Sequence, residues 1–302
     1  MYDAIIIGSG PAGLTAAIYL LRADKKVLIL EKENIGGQIT ASSKVENYPG
    51  FSSISGSDLM NQMYEQVVNL KGKIQLEEAL EIKDGKVKTV ITDCNRYQTK
   101  TIILALGTTH RRLHLNKEEE FIGNGISFCV SCDGAFYKEK NVAVIGGGNS
   151  AVQEAINLAD ICKKVDLLQD LDHLTCEEGL KKKLSAKQNV EIHYQSKVTS
   201  YLGKDALEGI TFLENGKEKT LKVDGVFLAV GLVPQTTFLK GLLSLDQQKY
   251  VVSHDTTTNL EGILVAGDCR EKDFRQLTTA VSDGTVAALK AIQYLNKEKS
   301  SS

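Results

Sequence analysis

A chain of 302 residues, 42% apolar and 25% charged, is long enough for two domains that each bury a core, and too mixed for a disordered, fibrous or membrane class. Its formal charge of −2 sets up no overall field for a polyanion such as nucleic acid, and no apolar run reaches membrane-spanning length. Met1-Tyr2-Asp3 leads straight into an apolar stretch with no basic n-region before it, so a cytoplasmic location is expected.

Residues 4–7, Ala-Ile-Ile-Ile, read as a short buried strand, followed by Gly8-Ser9-Gly10-Pro11-Ala12-Gly13 and a helical stretch over 14–21. Strand, glycine turn and helix in that order form a dinucleotide-binding beginning. Gly8 permits the tight turn, Gly10 lets backbone approach a pyrophosphate, and Gly13 lets the helix pack on the strand. The helix N-terminus then faces the phosphates. A second strand over 27–30 ends in Glu31, whose carboxylate is placed to accept hydrogen bonds from an adenosine ribose.

The arrangement recurs downstream. Residues 141–145 read as a strand, Gly146-Gly147-Gly148-Asn149-Ser150-Ala151 as the turn with Ala in its third slot, and 152–159 as a helix, with the next strand over 165–168. The fold class expected is therefore α/β, with two Rossmann-like βαβ nucleotide-binding domains in one chain.

Six cysteines stand at 94, 129, 132, 162, 176 and 269, in a chain too core-rich to need disulfide staples. Cys129 and Cys132 alone form a pair by spacing. A zinc site would need two further ligands, and no second pair exists, so no metal is expected. A C-x-x-C setting lowers a cysteine pKa from its free value of about 8.5 and allows exchange near neutral pH, so the pair is read as a redox disulfide.

These segments, together with Gly36-Gly37-Gln38, Val45-Glu46-Asn47-Tyr48-Pro49-Gly50, Cys129-Val130-Ser131-Cys132-Asp133-Gly134, Gly267-Asp268 and Arg275-Gln276-Leu277-Thr278-Thr279-Ala280, make the chain resemble the low-molecular-weight thioredoxin reductases along nearly its whole length. The resemblance implies FAD as cofactor, thioredoxin or a thioredoxin-like protein as acceptor, and a homodimer. It also implies a discontinuous FAD domain, 1–112 plus 246–302, with an inserted NAD(P)H-binding-like domain over 113–245 that carries the cysteines. By the same likeness, the FAD contacts fall on Gly8, Gly10, Pro11, Ala12, Gly13, Glu31, Lys32, Gly37, Gln38, Asn47, Ala79, Gly107, Gly267, Asp268, Arg275, Gln276 and Leu277. Asp268 would reach the ribityl and pyrophosphate region, a plain turn residue being the alternative. Arg275 and Gln276 would lie against the isoalloxazine. Asp133 is the family's general acid for the released dithiol, with a helix-capping role as its alternative.

One departure from the family bears on the electron donor. Its NADPH-dependent members follow the second strand of the inserted domain with His-Arg-Arg and a further Arg, which hold the 2′-phosphate. This chain has Gln169-Asp170-Leu171-Asp172-His173 there. Losing two charge-assisted arginine contacts costs about 3–6 kcal/mol, on the order of 10²–10⁴ in affinity. The remaining glycine turn is either a relic of the fold or an NADH site with Asp170 on the ribose. Gln169 at the strand end favours the relic.

The pattern thus looks like the ferredoxin-dependent flavin thioredoxin reductases, which lack the NADPH-binding arginines. A ferredoxin near −400 mV against a thioredoxin near −270 mV makes such a transfer downhill by about 6 kcal/mol for two electrons. His110-Arg111-Arg112 and Lys181-Lys182-Lys183 are candidate docking clusters for an acidic carrier, or simply solvated faces. The competing readings are a reductase using NADH or NADPH through an altered pocket, a dithiol oxidase of the same fold, and a non-enzymatic flavoprotein. An acid at Asp133, where the oxidases are expected to carry His, and the intact cysteine pair argue against the last two.

Overall fold

The structure is a computed structural model and describes residues 1–42 and 45–300, without the side chains of 298–300. The chain divides into two compact units, 1–109 with 233–302 and 110–232.

The first unit begins with β1 (Tyr2–Ile7), α1 (Pro11–Arg22) and β2 (Val27–Glu31), the expected βαβ entry. There follow α2 (Gly56–Asn69), β3 (Lys73–Leu76), β4 (Ala79–Lys83), β5 (Lys88–Thr92), β6 (Arg96–Leu104) and β7 (Thr108–His110). In the second unit come α3 (Glu118–Phe121), β8 (Ile126–Ser127), α4 (Val130–Asp133), β9 (Asn141–Ile145), α5 (Asn149–Ala159), β10 (Lys164–Leu168), α6 (Glu178–Ser185), β11 (Val190–His193), β12 (Ser196–Leu202), β13 (Gly209–Glu214), β14 (Lys217–Leu221) and β15 (Gly225–Leu228). Past the ribbon strand β16 (Leu232–Pro234), the first unit resumes with β17 (Ile263–Val265) and α7 (Leu277–Ser300).

The central strands of both units pair in parallel and are covered on both faces, which is why they are apolar without alternation, whereas β5 pairs antiparallel with β6 and β4 at one side of the first unit's sheet. In the first unit the order is β3-β2-β1-β6-β5-β4, with β17 added along the C-terminal half of β6. Ala4 and Ile6 of β1 and Ile29 of β2 turn to the side covered by α1, α2 and α7. Ile5, Ile7, Leu28 and Leu30 turn to the opposite side, under β4, β5 and the 239–251 segment. Burying each such side chain contributes roughly 1.5–3 kcal/mol, and a one-residue slip would exchange the faces.

The second unit repeats the plan. Its sheet, β11-β10-β9-β15-β8, is parallel throughout. Val142, Val144, Val165 and Leu167 pack against α4, α5 and α6, while Ala143, Ile145 and Leu168 pack on the three-stranded antiparallel sheet β12-β13-β14. Among the described residues no helix is long and apolar enough to cross a membrane.

The unit boundaries differ from the expected ones. The chain leaves the first unit after Thr109 rather than after 112, and residues 233–245, expected in the insert, belong to the first unit. Leu239 and Leu243 are buried in the same cluster as Ile5 and Val265. The Thr236 hydroxyl donates to the Lys249 carbonyl at 2.6 Å. The segment has a 3₁₀ turn over Thr237–Leu239 and no strand or helix period, so its burial leaves no periodic trace in the sequence.

Candidate functional site

In the first unit, loops distant in sequence converge on the first glycine turn. Gly8 has φ +104°, and a Cβ there would lie 2.2 Å from the Ala105 carbonyl oxygen, so only glycine fits. A Cβ on Gly13 would lie 2.0 Å from the Gly8 carbonyl oxygen, the close helix–strand approach expected of the third glycine. Gly10, by contrast, faces space, its nearest neighbour being the Gly36 carbonyl at 3.9 Å. The Gly36 amide donates to Ser9 O at 3.1 Å, which brings Gly36-Gly37-Gln38 to the turn. Gln38 Nε2 donates to the Thr108 carbonyl, next to Gly107, which adopts φ +63° with open space on its Cα. Gly267 meets the Ala12 methyl. Helix α1 starts without a side-chain cap and with Pro11 in its first turn, leaving its N-terminal dipole for a ligand.

The carboxylates around this cradle differ in occupation. Glu31 Oε2 accepts from the Ser9 amide at 2.8 Å and the Ser9 hydroxyl at 2.7 Å, and Oε1 accepts from the Glu33 amide. The residue expected on a ribose therefore also fastens the glycine turn. Lys32 pairs with Glu33 at 3.2 Å and reaches Gln235.

Asp268 sits in a 3₁₀ turn, Gly267–Cys269. Burial pushes its carboxyl up, partly opposed by Lys272, whose Nζ is 3.3 Å from Oδ1. Beyond that ammonium, the buried oxygen has no hydrogen-bond partner among the described residues. Arg275 donates to the Asp268 carbonyl at 3.3 Å, and its guanidinium lies 4.1 Å from the Tyr250 ring centre. The Gln276 amide is capped by the Thr279 hydroxyl at 3.1 Å, just before Leu277 opens α7. Asn47 is exposed in a turn, and Ala79 is buried at the start of β4.

In the second unit Cys129 and Cys132 are disulfide-bonded, with 5.3 Å between their Cα atoms. Cys129 is the N-cap of α4, and the Asp133 amide donates back to its carbonyl at 3.0 Å. Val130 anchors this turn in the apolar cluster under α5. Both sulfur-bearing residues stay half-buried, so a partner can reach them. Asp133 is held by the Ser127 hydroxyl at 2.6 Å, and the same hydroxyl accepts from the Cys129 amide at 3.1 Å. Burial raises the Asp133 pKa and the Ser127 hydrogen bond offsets part of the rise, an environment that suits a proton-holding acid beside a dithiol. Asp133 ends α4 and stands at the N-cap position of the 3₁₀ turn over Gly134–Tyr137, but its side chain makes no cap hydrogen bond there, which disfavours the capping alternative.

The second glycine turn is covered from within. The Gln169 side chain is 4% exposed and lies on Gly147, where a Cβ would stand 2.3 Å from Gln169 Cδ. Its Nε2 donates to His173 O at 3.0 Å, and its Oε1 accepts from the Asp170 amide at 3.1 Å. The Thr175 amide then donates to Gly147 O at 2.9 Å, and the Glu177 amide to Asn149 Oδ1 at 2.8 Å. The segment that would meet a nucleotide's adenosine end is thus bonded to the turn itself.

The candidate docking clusters fare unequally. Burial first, and Arg112 second, hold His110 down at about 4, so it is neutral at pH 7; it stacks on Phe128 at 4.3 Å. Arg112 is paired with Glu119. On α6, Lys181 pairs with Glu178 at 2.6 Å, while Lys182 and Lys183 are exposed. The remaining cysteines are reduced: Cys162, Cys176 and Cys269 are buried and Cys94 is exposed.

Two features escape a reading of spacing alone. Asp166, Glu191 and His193 bring their ligating atoms within 4.8 Å of one another on adjacent strands, with Lys164 Nζ 2.9 Å from Asp166 and 2.7 Å from Glu191. With a cation already among the carboxylates, the cluster is an ion-pair network. The other is Glu154 on α5, whose one sequence signal is an acid inside an otherwise apolar helical face, Val152, Ala155, Ile156 and Leu158.

The model of the pyridine nucleotide-disulphide oxidoreductase family matches residues 2–284. A 34.2 kDa protein in a rubredoxin operon of Clostridium pasteurianum is 41% identical over 300 residues, covering 97% of each chain. Thioredoxin reductase of Listeria monocytogenes is 39% identical over 306 residues, 100% of this chain and 96% of its own. The crystal structure of thioredoxin reductase from Streptococcus pyogenes matches with a TM-score of 0.94 at 37% identity, over 98% of this chain and 99% of that one. FAD is the cofactor of these flavoproteins and of this chain. The first unit fits it: its glycine cradle is open at Gly10 and Gly107, α1 is uncapped, and Asp268 Oδ1 is short of donors that ribityl hydroxyls would supply. The chain belongs to the pyridine nucleotide-disulphide oxidoreductase family, among its thioredoxin reductases.

Proposed function

We propose that this protein is an FAD-dependent thioredoxin-disulfide reductase working through Cys129 and Cys132, with reduced ferredoxin rather than NADPH as its electron donor. FAD would be held by Gly8, Gly10, Pro11, Ala12 and Gly13 at the pyrophosphate, by Glu31 and Lys32 at the adenosine end, and by Asp268 toward the ribityl chain. Gly37, Gln38, Asn47, Ala79, Gly107, Gly267, Arg275, Gln276 and Leu277 complete the set. When bound, FAD collects electrons singly and delivers them as a pair. The chain's own residues do the rest: the half-buried pair exchanges with a thioredoxin disulfide, and Asp133, held by Ser127, supplies a proton as the dithiol leaves. We also take the enzyme to be a cytoplasmic homodimer, in keeping with its family and its four unpaired thiols.

The observation that carries the choice of donor is Gln169 packed on Gly147, with Thr175 and Glu177 bonded to the same turn. No arginine stands where a 2′-phosphate would need one, and the exposed Asp170 and Asp172 would repel it. Lys182 and Lys183, rather than the 110–112 cluster, are the better candidates for docking an acidic carrier.

The test is anaerobic mixing of the oxidised enzyme with NADPH, NADH or reduced ferredoxin, following flavin bleaching and thioredoxin reduction. Reduced ferredoxin should support turnover, at a rate that falls as salt rises, and both nucleotides should give little. Efficient turnover at micromolar NADPH would return the protein to the nucleotide-dependent reductases.

A further inference from the structure

The His110 ring lies on the Phe128 ring with 4.3 Å between centres and 22° between planes, a stacked pair. Both residues belong to the second unit. His110 ends β7 and is the first residue of that unit, while Phe128 follows β8 and stands between Ser127 and Cys129. With His110 held at about 4 by burial and then by Arg112, the contact at neutral pH joins two uncharged rings.

Phe128 occupies the position on which the redox turn hangs. The Ser127 hydroxyl before it accepts from the Cys129 amide at 3.1 Å and donates to Asp133 at 2.6 Å, so a displaced Phe128 backbone disturbs both ends of the turn. Cys129 itself is extended, with φ −147° and ψ 105°. Its neighbours are anchored in different places: Phe128 packs on the apolar cluster that holds Phe121 and Ile126, and Val130 on the one that holds Ala151 and Val152. The redox cysteine is thus strung between the two faces of the sheet, and His110 adds a ring to the anchor on its N-terminal side.

We propose that His110 is a positioning residue of the Cys129–Cys132 couple: its ring, laid on Phe128, fixes the residue that leads into Cys129 and so keeps the two sulfurs within reach of each other. The proposal rests on the redox reading of the pair. In exchange with a substrate disulfide, one enzyme thiolate attacks, and the second thiol closes on the mixed disulfide. The substrate leaves as a dithiol, carrying the two electrons and two protons that the enzyme's thiols held. The stack serves the closing step, because ordering the turn beforehand raises the effective concentration of one sulfur at the other. A stacked aromatic pair is worth a factor of roughly two to ten beyond the area it buries.

The experiment equilibrates the FAD-loaded protein anaerobically with mixtures of reduced and oxidised glutathione, and reads the fraction of Cys129–Cys132 disulfide by alkylation and peptide mass spectrometry. His110→Ala should shift the balance towards the dithiol by roughly two- to tenfold. His110→Phe, which keeps an uncharged ring, should return most of that shift. Phe128→Ala should shift the balance at least as far, and His110→Ala in that background should add nothing, because His110 acts through Phe128. Exchange of the reduced enzyme with oxidised thioredoxin should slow in the same order. An unchanged balance in His110→Ala overturns the proposal even if the melting temperature drops, because a merely structural role moves stability alone. Additive shifts in the double variant overturn the route through Phe128. If Phe128→Ala does not fold, His110→Ala and His110→Phe decide, and equal shifts in the two overturn the proposal. A wild-type dithiol that reduces no thioredoxin defeats the reductase reading, yet the glutathione balance still answers for His110.

Discussion

His193 Nε2 lies 2.9 Å from Oδ1 of Asp166, a carboxylate whose residue is 1% exposed, and His193 Nδ1 lies 3.0 Å from Glu214 Oε1. The imidazole thereby ties β10 to the β12–β13 hairpin. The Asp166 contact, with Glu214 adding to it, raises the His193 pKa against the pull of burial. A pKa raised on folding contributes stability that is complete below the unfolded value of about 6.5 and is lost as pH climbs through the folded value. The urea midpoint of the wild type should therefore decline as pH rises above about 6.5. His193→Gln should lose about 2 kcal/mol at pH 6 and show a flatter profile. Parallel profiles for the two proteins in urea titrations read by circular dichroism would disprove the assignment.

Two glycines of one turn should fail in different ways. Gly13→Ala forces a methyl against the Gly8 carbonyl and should cost about 3 kcal/mol of stability. Gly10→Ala meets nothing closer than 3.9 Å and should keep the fold while losing flavin, because the methyl fills space a pyrophosphate needs. Urea titration and the ratio of flavin to protein absorbance separate the two. Full flavin content in Gly10→Ala would mean that the cofactor does not approach there.

Asp283 on α7 should be the anchor of the Asp268 turn. It accepts from Arg270 at 3.0 Å through both oxygens, from Lys272 at 3.1 Å and from the Gly267 amide at 3.1 Å. Burial pushes its carboxyl up, yet Arg270 and Lys272 outweigh that and hold it below the ordinary range. Its contribution is present at neutral pH and lost as pH falls through the folded value. Asp283→Asn should cost about 3 kcal/mol at pH 7 and loosen the flavin. Unaltered stability and flavin content together would remove Asp283 from this role.

Ser127→Ala should change the acid without touching it. Its hydroxyl is the one influence offsetting burial at Asp133, so its loss should raise the Asp133 pKa further and move the Asp133-dependent limb of the pH–rate profile to higher pH. Asp133→Asn should lower turnover by about 10² or more with flavin retained. A limb that stays in place in Ser127→Ala would assign it to another group.

The first βαβ unit, both glycine turns and the cysteine pair were legible in sequence because each is a local pattern whose residues lie within a few positions of one another. What was hidden is tertiary. His193 meets Asp166 and Glu214 across 27 and 21 residues, and no periodicity links them. Gln169 was legible as a missing acid, but not as a lid on Gly147, since that depends on its rotamer and on the return of the chain at Thr175. The basic run at 110–112 looked like a surface charge until burial of His110 and the Arg112–Glu119 pair removed most of it. The return to the first unit fell at 233 rather than 246 because irregular segments bury apolar residues without a period.

The placement of the remaining thiols governs how this chain meets an oxidant. Burial pushes Cys162 and Cys269 up to about 11 and raises Cys176, and the Asp93 charge raises the exposed Cys94. Thiols kept protonated react slowly with peroxide, whereas a sulfenic acid formed at Cys129 or Cys132 has a resolving partner three residues away. Peroxide exposure should thus be recorded as the reversible disulfide at one turn of the chain, sparing the core from sulfinic damage.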